Sequence, residues 1–218
     1  MPPCYGVNNK RMEYITASCV ISDRIVYKDE SAAFENKAAD LPEFLLSVYN
    51  HFDLQYPRFY KMDNLSKLGW LASELLLKES FSAADHRPED IAVVLSNSNS
   101  SLDTDYKYWE TVQDIPSPSV FVYTLPNIMT GEICIRNKFK GENAFFLLES
   151  FDAAFLEQYV RYLLKEDIAQ VCITGWVDVL GNDYKAGLFL VEKDPVTGAN
   201  ANTFTAKNMN RIFQTLNA

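Results

Sequence analysis

The stretch from Lys140 to Leu164, KGENAFFLLESFDAAFLEQYVRYLL, constrains the fold more than any other, because an apolar run stops at two polar residues and a helix-period pattern begins at once. Ala144 to Leu148 has strand length, is bounded by Gly141 on one side and Glu149 and Ser150 on the other, and is expected to be buried on both faces. Beyond it Phe151, Ala154, Phe155, Tyr159, Tyr162 and Leu163 recur at helical spacing, with Asp152 near the start and Arg161 and Lys165 near the end, where each charge suits the helix dipole. The stretch therefore reads as strand, elbow, helix.

Many enzymes mount a nucleophile at such an elbow, since the helix N-terminus offers free amides and partial positive charge to a thiolate or oxyanion. Ser150 and Glu149 occupy it here. A serine needs a base to act as a nucleophile, and the two histidines, His51 and His86, lie far upstream. The simpler expectation is that Ser150 caps the helix with its hydroxyl and that Glu149 is a partly solvated carboxylate.

The flanking sequence alternates strands and helices. Tyr14 to Ile21 is β-branched and aromatic and predicts a strand. Asp40 and Pro42 open a helix with Phe44, Leu45, Val48 and Tyr49 on one face, and an Asp or Asn start at Asp63 or Asn64 opens another with Leu65, Leu68, Leu71, Leu75 and Leu76. The aromatic loop FDLQYPRFY between them is read as packing. Ile91 to Leu95 predicts a buried strand, followed by the polar loop SNSNSSLDT and a short helix around Tyr106 to Val112. Pro126 and Asn127 start a helix in which Ile128, Met129, Ile133, Cys134 and Phe139 face a core, with Gly131 expected at a close backbone approach. Ala169 to Thr174 and Trp176 to Leu180 predict strand, and Ala186 to Glu192 predicts its antiparallel neighbour across a turn at Gly181, Asn182 and Asp183. Phe204 to Leu216 is a weaker helix. The sum, roughly βαβαβαββ over a single domain 1–218, predicts an α/β fold with a mostly parallel, layered sheet and helices on both faces.

Composition bounds the function. An apolar share of 48% and a charged share of 22% are those of an ordinary globular protein. A net charge of -9 argues against nucleic-acid binding, which needs clustered Lys and Arg. Lys61, Lys67, Arg136, Lys138 and Lys140 are the only candidates for a local basic patch and are expected to form a solvated face. Cys4, Cys19, Cys134 and Cys172 are too scattered for a zinc motif and read as small hydrophobes in a reducing compartment. The N-terminus MPPCYGVNNKRMEY lacks a signal h-region and no apolar run is long enough to span a bilayer, so a cytoplasmic protein without metal or cofactor is expected.

The blocks KMDNLSKLGWLASELLL, IAVVLSNSNSSLDT and SPSVFVYTLPNIMTGEICIRNKFKGEN, in this order before the elbow, resemble the N-terminal half of β-ketoacyl synthases of the thiolase fold, from about Met12 to Leu180. The family's Pro-Asn helix start and its Lys-Gly-x-Asn turn are matched by Pro126, Asn127, Lys140, Gly141 and Asn143. The resemblance implies half of a thiolase-like fold. It also implies a missing nucleophile, since the position held by cysteine in the family falls on Ser150, with Glu149 before it and bulky Phe151 after it. The family's catalytic histidines and lysine lie in a second half that has no counterpart here. The implied role is a non-catalytic subunit, of the chain-length-factor kind, that pairs with a full-length ketosynthase in acyl-chain or polyene biosynthesis and meets acyl carrier protein. In the family the strand before the elbow pairs across a two-fold axis, which implies an interface at Ala144, Phe145, Phe146, Leu147 and Leu148 and a homodimer when the chain is made alone. The competing reading is an acyltransferase or hydrolase acting on acyl-thioesters through Ser150.

Overall fold

The structure is a computed structural model that describes residues 12–193 and 201–214; Cys4 and Leu216 lie outside the described residues. The described residues open with a meander rather than with a single strand. β1 (Glu13–Ser22), β2 (Ile25–Lys28) and β3 (Ser31–Glu35) pair antiparallel in succession. Their two-residue turns place Asp23, Arg24, Asp29 and Glu30 at positive φ, the backbone that joins right-twisted strands most tightly. The side chain of Asp29 accepts a hydrogen bond from the Ser18 amide at 2.8 Å, which anchors the second turn.

Helix α1 (Leu41–His51) follows, capped by Asp40, and α2 (Asn64–Leu77) is capped by Asp63, each aspartate accepting from the amide three residues on. The residues expected on the buried face of each are buried, but α2 is covered nearly all round, with Gly69, Trp70, Ala72 and Ser73 buried as well. The aromatic loop between them packs as anticipated: Phe59 stacks on Tyr49 at 4.3 Å and Tyr56 on Trp70 at 5.2 Å between ring centroids. The fully buried β4 (Ile91–Asn97) leads into α3 (Leu102–Val112), the short α4 (Pro118–Phe121), a turn at Val122–Thr124 and α5 (Asn127–Asn137). Then come β5 (Asn143–Leu147), α6 (Ala153–Lys165), the hairpin of β6 (Val171–Leu180) and β7 (Asp183–Lys193), the short β8 (Asn202–Thr203) and α7 (Ala206–Gln214).

The strands form one sheet in the order β3-β2-β1-β7-β6-β4-β5, with β8 on β1. The sheet is mixed, not mostly parallel. Only β4 pairs parallel, with β5 and β6, the strands that follow it through helical crossovers; hairpins make β1–β2, β2–β3 and β6–β7 antiparallel, and β1 pairs antiparallel with the distant β7 and β8. The crossover from β4 to β5 runs outward and that from β5 to β6 runs back. Right-handed connections then put α5 and α6 on opposite faces. Two apolar cores result. One holds α1, α2 and α5 against the sheet; the other holds α6 and α7.

The strand read over Ala169 to Thr174 and on through Trp176 to Leu180 forms as the continuous β6, in which Gly175 at φ +150° lets the chain pass β7 where a Cβ would lie 2.0 Å from the Gly187 carbonyl oxygen. Two expectations change. Gly131 marks no close approach: a Cβ there meets nothing within 4 Å. The buried face of α6 is Ala153, Leu156, Val160, Leu163 and Leu164, so Ala154 and Tyr162 of the anticipated stripe point outward.

Candidate functional site

The elbow forms where expected, at the end of the sheet where β4 and β5 finish. The Lys-Gly-x-Asn turn brings the chain to it. The Lys140 amide donates to the Pro88 carbonyl at 2.8 Å, and Gly141 passes so close to β4 that a Cβ would stand 2.4 Å from the Ile91 carbonyl oxygen, so only glycine fits. β5 then runs beside β4 from Asn143 opposite Val93 to Leu147 opposite Asn97.

β5 is an edge strand, and Ala144 to Leu148 is not buried on both faces. Ala144, Phe145, Phe146 and Leu148 are half-buried and Leu147 is 59% exposed. Phe145 packs against the first core, while Phe146 lies between Phe155 and Tyr159, at 4.8 and 5.0 Å, on the second. An apolar run bounded by turns looks the same at the centre of a sheet and at its edge; the pairing decides. The Glu142 carbonyl and the Leu148 amide face β4. By strand alternation, the backbone groups of Asn143, Phe145 and Leu147 therefore point away from it, along the open side of the sheet.

Ser150 and Glu149 are exposed on the elbow, and neither takes part in a hydrogen bond among the described residues. Ser150 is not the helix cap. That role falls to Asp152, whose Oδ1 accepts from the Phe155 amide at 2.9 Å, because the chain needs two further residues to turn from β5 into α6. The intervening Phe151 turns inward against Phe213 at 4.2 Å, Phe189 at 6.2 Å and Trp176 at 6.4 Å, so aromatic rings fill the space under the elbow. The histidines are on the other side of the sheet. His51 packs on Phe34 and Phe52 at 4.5 and 4.8 Å, and His86 on Phe81 at 5.1 Å, all three phenylalanines belonging to the first core.

Among the described residues no thiol takes the nucleophile's place. Burial pushes the Cys19 thiol up to about 12 and the Cys134 thiol up to about 11, and raises Cys172 as well, so each is protonated near neutrality and inert. No group of three or more metal-ligating side chains occurs among the described residues.

The candidate basic residues are dispersed. Arg136 pairs with Glu74 at 3.2 Å and lies over the Tyr56 ring; Lys140 is 3.9 Å from Glu89; Lys67, half-buried, lies over Phe59. Lys138 closes α5 in the left-handed conformation, and Lys61 is exposed. No helix of the described residues is long and apolar enough to cross a membrane.

No family model matches the chain, and no curated protein does. Solved structures do. The chain superposes on the ishigamide ketosynthase/chain length factor with a TM-score of 0.61 at 18% identity, over 85% of this chain and 63% of that one. It matches a type II polyketide synthase ketosynthase and acyl-carrier protein complex, AntDE:AntF, with a TM-score of 0.57 at 13% identity, over 84% of this chain and 63% of that one. It also matches the complex of the ketosynthase ApeO with its chain length factor ApeC from Xenorhabdus doucetiae, with a TM-score of 0.56 at 11% identity, over 95% of this chain and 92% of that one. The chain thus spans about 63% of the length of the first two and nearly all of the third. At these identities the likeness establishes the fold: the α/β arrangement is that of half a thiolase-like ketosynthase or chain length factor, as the sequence resemblance implied.

Proposed function

We propose that this chain is a non-catalytic, ketosynthase-like subunit of the chain-length-factor kind that works in the cytoplasm beside a full-length β-ketoacyl synthase in acyl-chain or polyene biosynthesis. The observation that carries the reading is an elbow that keeps its shape and lacks its chemistry. Ser150 stands at the turn without a hydrogen-bonded base, Phe151 fills the space beneath, and the strand leading in presents an open edge. The solved neighbours are ketosynthases with chain length factors and a ketosynthase with its acyl-carrier protein, which supports a ketosynthase as partner and acyl carrier protein as a further one. The partner is expected at Ala144 to Leu148, through the outward backbone groups of Phe145 and Leu147, and the same edge serves a homodimer when the chain is made alone.

Leu147→Pro tests the edge. It removes an outward N–H and leaves the ladder to β4 intact, the arrangement in which proline is tolerated at a sheet edge. Co-purification with a ketosynthase encoded beside this gene should be lost in that variant while far-ultraviolet circular dichroism stays unchanged; retained pairing would exclude the edge. Incubation with acyl-thioesters followed by mass spectrometry should leave Ser150 unmodified, and an acyl adduct there would make the chain an enzyme in its own right.

A further inference from the structure

At the end of the sheet where β4 and β5 finish, α3, α4 and the segment after them expose Tyr106, Trp109, Ile115, Phe121, Val122 and Leu125. The two segments are fastened together. Tyr108 meets Phe121 at 5.3 Å between ring centroids, the Ser117 amide donates to the Thr111 hydroxyl at 3.1 Å, and the Ser101 hydroxyl donates to the Thr124 carbonyl at 2.7 Å. Trp109 is 65% and Ile115 77% exposed. With aromatic side chains of roughly 150–250 Å² each, the bare area passes the few hundred Å² that a monomer ordinarily leaves uncovered.

Charge selects the occupant. From Leu102 to Leu125 the chain carries the carboxylates Asp103, Asp105, Glu110 and Asp114 and the one cation Lys107. Lys107 is paired to Asp103 at 2.6 Å. Asp105 stands one helical turn before Trp109, Glu110 one turn after Tyr106 and Asp114 next to Ile115, so carboxylates border the apolar side chains. Lys67, which feels the charge of Lys107, adds a cation at the end where α3 meets α2. A two-fold contact would set this surface against itself and oppose the same carboxylates.

We infer that the α3–α4 face docks a different polypeptide, one with an apolar contact bordered by lysine and arginine, and that its acidic rim repels a second copy of this chain. The inference goes beyond the pairing at β5 and does not depend on it.

Two dye-labelled amphipathic peptides of about 15 residues, long enough to form a helix on binding, carry the same leucine stripe flanked by lysines in one and by glutamates in the other. The full chain should bind the lysine peptide, with affinity falling as salt rises, and not the glutamate peptide. Binding should weaken at least about tenfold, the loss expected of a buried aromatic anchor, in Trp109→Ser. It should persist in Tyr162→Ser, which removes an exposed ring from α6. The rim-neutral variant Asp105→Asn/Glu110→Gln/Asp114→Asn should lose the lysine peptide and gain self-association in sedimentation velocity, and Trp109→Ser should abolish that gain. Equal binding of both peptides, binding of neither, or no effect of Trp109→Ser overturns the inference. A wild-type dimer dissolved by Trp109→Ser would show that a second copy is the occupant.

Discussion

Gly69, inside α2, has no side chain where Met129 of α5 crosses it: a Cβ there would lie 2.1 Å from the Met129 sulfur and 2.7 Å from its Cγ. Met129 is fully buried, so its thioether has nowhere to withdraw. Gly69→Ala should therefore cost about 1–3 kcal/mol, the range for overpacking a filled core. In a double-mutant cycle by urea unfolding, Gly69→Ala with Met129→Ala should lose less than the two single changes together. Gly131→Ala, facing open space, should instead stabilise the helix by about 0.5–1 kcal/mol. An equal loss at Gly69 and Gly131 would refute the assignment.

Gly175 should be intolerant of any side chain. Its φ of +150° disfavours L residues, and the obstacle is the Gly187 backbone, which cannot rotate away as a side chain can. Gly175→Ala is expected to yield protein without a cooperative thermal transition, whereas Gly181→Ala, at φ +61° with nothing within 4 Å, should cost only the left-handed penalty of about 1–2 kcal/mol.

Asp152→Ala should lower stability by about 1 kcal/mol through loss of the cap on α6. Ser150→Ala should leave the melting temperature unchanged, as its hydroxyl takes part in no hydrogen bond among the described residues. A loss at Ser150 equal to that at Asp152 would return the cap to Ser150.

The thiols set an alkaline limit. Cys19 is pushed up to about 12 and Cys134 up to about 11 by burial, above the ordinary thiol near about 8.5. The folded state therefore holds these protons more tightly than the unfolded chain. The stability this contributes is complete below the ordinary value and declines as pH rises from there through the folded values. In a Cys4→Ser background, iodoacetamide should label Cys134 slowly at neutral pH and faster with each unit upward. Cys19 and Cys172 should label only on unfolding, as peptide mass spectrometry would record.

Local chemistry made much of the fold legible in the sequence. Asp40 and Asp63 announced their helices because a cap acts within three residues, and the face of α1 and the buried leucines of α2 followed from spacing alone. The strand, elbow and helix were legible for the same reason, as was the hairpin at Gly181. β2 and β3 were not. They are short, β3 is largely exposed, and their turns contain no glycine, so nothing local separates them from a loop until β1 pairs with them. Which glycine a neighbouring helix crosses, Gly69 and not Gly131, depends on how two helices distant in sequence meet. Likewise, the run Ala144 to Leu148 determined a strand, but a central and an edge strand carry the same pattern. Only the outward crossover from β4 left β5 with an open side, and only the inward packing of Phe151 filled the space beneath the elbow. Both are set by contacts between residues far apart in the chain, which periodicity and capping do not encode.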